Sequence, residues 1–278
     1  MSQPPDESAE FRIADHIYGI AAFLGGMANV IMQLSLPPVG YGVYESTVES
    51  GRVDRHPFKR LRTTLTYLAV ATMGTDAERA AYRAAVDAQH RFVRSTPSSP
   101  VRYNAFDREL QLWVAACLYR GYLDILEKFR GGTLDQAIAD PLYRHCSRLA
   151  TTLQVPSAMW PADRTAFEQY WQAGLARAHI DPVIRDYFDG LIDLAMLPRP
   201  LRFLCARFHR YLVTGLLPAE LRAQLNMTWT PAQQRRFDRF LRLLGAVVVH
   251  APKPIRLLPV NLCLWDLRRR MRTGKPLV

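Results

Sequence analysis

Residues 76–94, DAERAAYRAAVDAQHRFVR, place Tyr82, Val86, His90 and Val93 at intervals of four, four and three. That spacing puts them on one face of a helix, with the His90 imidazole turned inward among apolar neighbours. Similar periodicity fills almost the whole chain, and no run of alternating residues lies between Asn-Gly or Asp-Gly turns, so the expected fold is all-α. Breaks at Pro37-Pro38, 95–100, Gly131-Gly132, 156–161, Pro198-Arg199-Pro200, Pro218, Pro231 and 252–254 divide it into about ten helices. Two starts are legible: Thr133-Leu134-Asp135-Gln136 reads as an N-cap with Gln at N3, and Thr230-Pro231 sets proline at the first helical position. STPSSP at 95–100 is short enough to be a loop inside one domain. The expected organisation is a flexible tail at 1–9 and one multi-helix domain over 10–278.

A chain of 278 residues buries roughly three-quarters of its unfolded surface as one domain, and 49% apolar with 22% charged residues is ordinary for a folded protein. The net charge of +11 raises three partner classes: nucleic acid, an anionic membrane surface and an acidic ligand. Of the 36 basic residues only Lys59, Lys128, Lys253 and Lys275 are lysines. Such an arginine-rich balance is as much a coding bias as a phosphate footprint, so no specific nucleic acid is expected. The runs 235–242 and 268–272 read as solvated helix faces, which keeps a basic all-helical binding protein as the alternative class. Cys117, Cys146, Cys205 and Cys263 form no C-x-x-C pair and sit on apolar helical patterns, the usage of buried reduced thiols in a cytoplasmic protein. The acidic, polar start resembles no secretory leader. Residues 16–36 carry no Asp, Glu, Lys or Arg, but Gly19, Gly25, Gly26, Asn29 and Gln33 dilute them. The stretch reads as a core helix, with a peripheral membrane contact left open.

No Walker loop, G-x-G-x-x-G, G-x-S-x-G, H-E-x-x-H or paired Cys/His spacing occurs, which removes nucleotide-dependent and common zinc-hydrolase chemistry. What remains is a small set of polar groups on apolar helices. His90 suits either a core histidine bonded to a backbone carbonyl or an axial metal ligand. After Pro57, Arg60, Thr64 and Tyr67 form one stripe while Phe58, Leu61, Leu65 and Leu68 form another, so one helix can present a polar and an apolar face. Arg60 and Thr64 are candidate site residues or, equally, a solvated arginine with a tolerated threonine. Glu45, after Gly40-Tyr41-Gly42-Val43, is a surface charge or a general acid or base.

These residues also carry a resemblance. Gly25-Gly26-Met27-Ala28, Met32-Gln33-Leu34-Ser35-Leu36-Pro37 and Gly42-Val43 are similar to the opening of the mpaB and rubber-oxygenase (latex-clearing) catalytic domain family. Arg60 to Thr64 resembles its Arg-x-x-x-Thr helix, and Gln89-His90-Arg91-Phe92-Val93 its histidine helix. Leu112-Trp113-Val114, Leu216-Leu217-Pro218, Trp229-Thr230-Pro231 and Leu257-Leu258-Pro259 follow in the family's order. The resemblance implies a helical domain enclosing a pocket for non-covalent haem b, with His90 as proximal iron ligand, Arg60 and Thr64 on the distal side and Glu45 near a catalytic acid or base. It implies an oxygenase using dioxygen on an apolar small molecule, in this family isoprenoid, with a haem-free scaffold as the other outcome. Leu36 and Ala115 stand where many members carry histidine, and Thr63 where a rubber-cleaving member can supply lysine.

Overall fold

Helices follow one another from Gly19 to Thr273 in this computed structural model, which describes residues 11–48 and 52–278. They are α1 (Gly19–Leu34), α2 (Pro37–Tyr44), α3 (Pro57–Met73), α4 (Asp76–His90), α5 (Arg108–Arg130), α6 (Gln136–Cys146) and α7 (Arg148–Thr151). The second half adds α8 (Arg164–Arg177), α9 (Pro182–Ile192), α10 (Arg199–Leu216), α11 (Ala219–Gln224), α12 (Pro231–His250), α13 (Lys253–Arg256) and α14 (Leu258–Thr273). Among the described residues there is no strand, only an isolated antiparallel bridge between Arg94 and Asn104. The all-α, single-domain expectation holds; the expected tail at 1–9 lies outside the described residues.

The proline-bounded breaks end or start helices where expected, and 95–100 is a loop folded back on itself, Ser95 N–H donating to the Tyr103 carbonyl. Thr230 caps α12 in a reciprocal box with Gln233, Pro231 following it in the first turn. One expected cap is displaced: Asp135, not Thr133, caps α6, because its carboxylate accepts the Ala137 N–H. The helix carrying His90 also ends earlier than the sequence suggests. Val93 N–H turns back to the His90 carbonyl and Ala105 N–H donates to Val93, so the chain leaves α4 to make the bridge.

The longest helix, α5, forms the middle of the core and packs against α1, α10 and α12. Trp113 on α5 is wholly buried and stacks on Trp171 of α8, ring centroids 5.2 Å apart. Gly174 makes this possible, since a Cβ there would lie within 2.1 Å of the Trp113 ring. The polar residues that dilute 16–36 are bonded inside: Trp113 Nε1 donates to the Gln33 carbonyl, Gln33 Nε2 to Asn29 Oδ1, and Asn29 Nδ2 to the Cys117 carbonyl. Buried amides are costly unless paired, and here the pairing fastens α1 to α5. α1 is therefore a core helix, and no single helix among the described residues is long and apolar enough to cross a membrane. Cys117 and Cys146 are buried free thiols whose pKa burial raises, but Cys205 is exposed and Cys263 half-buried. The expectation of four buried cysteines is thus corrected: Cys205 lies on the first half of α10, which projects from the core, and Cys263 on α14 beside a cavity.

At the other end α14 is fastened to α4 by Arg268, whose Nε donates to Glu78 Oε1 at 2.7 Å while the other Glu78 oxygen accepts the Thr75 N–H. Arg268, and then the cap hydrogen bonds, hold the Glu78 carboxyl below its usual pKa of 4.5 against the opposing effect of burial. The unfolded chain therefore takes up the proton first on acidification. The bridge contributes fully above about pH 4.5, and its contribution is lost as pH falls through the lower folded value. Glu78→Gln keeps a capping side chain but no charge, so its urea midpoint should lie below wild type at pH 7, by up to about 1 kcal/mol in stability. The gap should narrow as pH falls below about 4.5; a gap independent of pH would contradict the assignment.

Candidate active site

α3 divides two cavities. Its polar stripe, Arg60, Thr64 and Tyr67, faces a cavity of about 270 Å3, and Leu61, Leu65 and Leu68 face another of about 350 Å3. Each is close to the lower size of ordinary ligand sites, roughly 300 Å3. Arg60, Thr64, Gln33, Leu118 and Leu149 line both, so the two lobes adjoin across that wall.

The first lobe receives the predicted face of α4: Tyr82, Val86 and His90 line it, with Val93 just beyond the helix. Thr63 and Tyr82 hold α3 and α4 together through the Tyr82 hydroxyl, which donates to the Thr63 carbonyl at 2.6 Å. His90 stands edge-on to Phe106, centroids 6.2 Å apart. Its Nδ1 is buried and, like that of His16, has no hydrogen-bond partner among the described residues. Burial, and then the nearby Arg60 charge, lower the His90 pKa to about 4. The imidazole is therefore neutral at pH 7.

Arg60 is half-buried, and desolvation lowers its pKa. Among the described residues no carboxylate pairs with it. A partly desolvated guanidinium without a counter-ion favours an anion or an acceptor brought by a ligand. Glu45 is placed differently from these three. It lines neither lobe and accepts hydrogen bonds of 2.7 Å from Ser99 Oγ and the Tyr103 hydroxyl, and it is the Tyr103 ring that reaches the lobe. Thr63 lines the same lobe, whereas Leu36 and Ala115 are packed in the core.

The second lobe, lined by α1, α3, α10 and α14 as well as α5, was not legible in the sequence. Its histidine, His209, bonds through Nδ1 to the Ile192 carbonyl at 2.7 Å, and nothing in the spacing of α10 singles it out. Among the described residues no three His, Cys, Asp or Glu side chains gather as a metal site. A b-type haem needs one strong axial nitrogen and apolar walls, and His90 beside Arg60 fits that requirement.

Fold and site together define a helical protein with a two-lobed, largely apolar cavity that carries one half-buried histidine on each lobe, His90 and His209. The chain belongs to the family described as ER-bound oxygenase mpaB/B'/rubber oxygenase, catalytic domain, whose model matches residues 14–246. It is similar to uncharacterized protein Rv2237 of Mycobacterium tuberculosis and uncharacterized protein Mb2261 of Mycobacterium bovis. Each is 52% identical over 251 residues, covering 90% of this chain and 98% of the relative. No solved structure matches the chain.

Proposed function

We propose that this protein is a haem b-dependent oxygenase acting on an apolar small molecule, isoprenoids included, with dioxygen as co-substrate. The observation that carries the reading is the convergence of His90, Arg60 and Thr64, from two helices, on one apolar lobe, with the His90 Nδ1 unpartnered. His90 would hold the iron, and Arg60 and Thr64, which line the same lobe, would contact dioxygen or substrate. The haem, when bound, supplies activation of dioxygen, which is the cofactor's own chemistry. The chain supplies the rest. Burial keeps His90 unprotonated, the apolar walls exclude water, and Arg60 and Thr64 offer hydrogen-bond donors where negative charge develops. The second lobe takes the substrate and meets the first at Arg60 and Thr64. Glu45 acts on the site through Tyr103, orienting its hydroxyl, rather than by touching a ligand.

Oxygen uptake by the haem-loaded protein, measured across a panel of apolar substrates with isoprenoid and straight-chain members, tests the proposal. Uptake should depend on one class of substrate. Arg60→Leu should keep its haem and lose roughly 100-fold in rate, the scale seen when one preorganised donor is removed. Equal uptake by wild type and Arg60→Leu would remove Arg60 from the chemistry.

A further inference from the structure

Charge and exposed apolar surface coincide in the last third of the chain. Residues 194–278 hold 16 of the 36 Lys and Arg but 3 of the 25 Asp and Glu, a net +13 that leaves −2 for the first 193 residues. The same segment carries most of the large apolar side chains that stand in solvent.

These side chains form adjoining stripes. Residues 199–205 of α10 are exposed all round, Phe203 at 92% and Leu204 at 75%. Leu201, Leu204 and Phe208 are spaced for one face of this projecting half-helix. The Phe208 ring meets Phe240 of α12 edge-on at 6.0 Å. Phe240 begins the i, i+3, i+7 stripe that continues through exposed Leu243 and Val247. α1 packs against both α10 and α14 and adds exposed Ile20 and Phe23, and α14 adds Leu258, Leu262 and Trp265. Between these residues lie exposed arginines, among them Arg199, Arg207, Arg235, Arg236 and Arg239, that have no carboxylate partner among the described residues. The second lobe reaches this side of the molecule, since half-exposed Phe23 and Leu61 line it together with His209 and Val260.

We infer that this face docks the protein on an anionic lipid bilayer, with α10 lying in the headgroup region and the second lobe opening toward the hydrocarbon. An exposed apolar area interleaved with cations requires a partner that is both apolar and negative. A second copy of the chain brings its own +13 to the contact and so repels, whereas a bilayer with acidic headgroups offers both complements. A substrate dissolved in lipid would then reach the lobe without crossing water. The docking rests on this surface alone and stands whether or not His90 holds haem.

The test is flotation of the purified full-length chain with vesicles of phosphatidylcholine alone and with 30 mol% phosphatidylglycerol, at 50 and 300 mM salt. Wild type should float with the anionic vesicles at 50 mM, far less with the neutral ones, and should release with salt. Phe203→Ser combined with Leu204→Ser alters only exposed positions, so an unchanged melting temperature checks its fold. The double variant should bind at least about tenfold more weakly, because two large side chains no longer enter the bilayer. No flotation at 50 mM, or equal flotation of the double variant, would overturn the inference. So would a wild-type dimer in solution that the double variant converts to monomer, which would assign the face to a second copy.

Discussion

His90→Ala should remain folded and lose its haem. Among the described residues the imidazole makes no hydrogen bond through its buried Nδ1, and its ring stands edge-on to Phe106, so deleting it orphans no partner in the interior. Stability should change by no more than about 1 kcal/mol, the usual scale for a side chain that gives up modest packing. Haem retention should respond far more strongly. Among the described residues no other histidine lines the first lobe, and no cluster of potential ligands stands ready to replace His90. Haem per chain after gel filtration should drop at least about tenfold, since one strong axial bond is removed. A variant that keeps wild-type haem content and an unchanged spectrum would show that His90 is not the ligand. A variant that unfolds would instead make His90 a core residue, and His90→Phe, which keeps an aromatic ring opposite Phe106, would show whether shape alone is required.

Trp113→Ala should be the most damaging single change to the fold. The indole is fully buried, stacks on Trp171, sits over Gly174 and donates to the Gln33 carbonyl at 3.1 Å. Truncation removes the transfer free energy of a large aromatic, leaves a void that α5 and α8 cannot close and strips a buried carbonyl of its donor. Such losses are about 3–5 kcal/mol, a large part of the 5–15 kcal/mol that typically separates folded from unfolded protein. The urea midpoint measures it. Because Gln33 lines both lobes, a surviving fraction of folded variant should also bind haem or apolar ligands more weakly. A loss below about 1 kcal/mol would mean that α1, α5 and α8 are held by something other than this indole.

Much of the first lobe was legible from periodicity. The four-residue face of 76–94 and the two stripes of α3, apart from Phe58, which stands in solvent, point where the spacing says, because a helix fixes the angle between side chains to within a few degrees of a constant. Periodicity gives the inward face but not what that face meets. For that reason the second lobe, assembled from α1, α10 and α14 far apart in the chain, had no local signature. Glu45 shows the same limit: its position in sequence suits a site residue, yet Tyr103, fifty-eight residues later, stands between it and the lobe. The early end of α4 depends on the Arg94–Asn104 bridge, again a non-local pairing. Cys205 and the apolar residues beside it look like core in a one-dimensional pattern, and only the way α10 projects from the bundle leaves them in solvent.

The absorption spectrum of protein purified from haem-supplemented cells, with haem quantified per chain, tests the central claim most directly. The account predicts a Soret band at one haem per chain, present in the wild type and absent from His90→Ala. A colourless wild type that also takes up no added haemin would contradict it, and the two-lobed cavity would then belong to a haem-free binding protein.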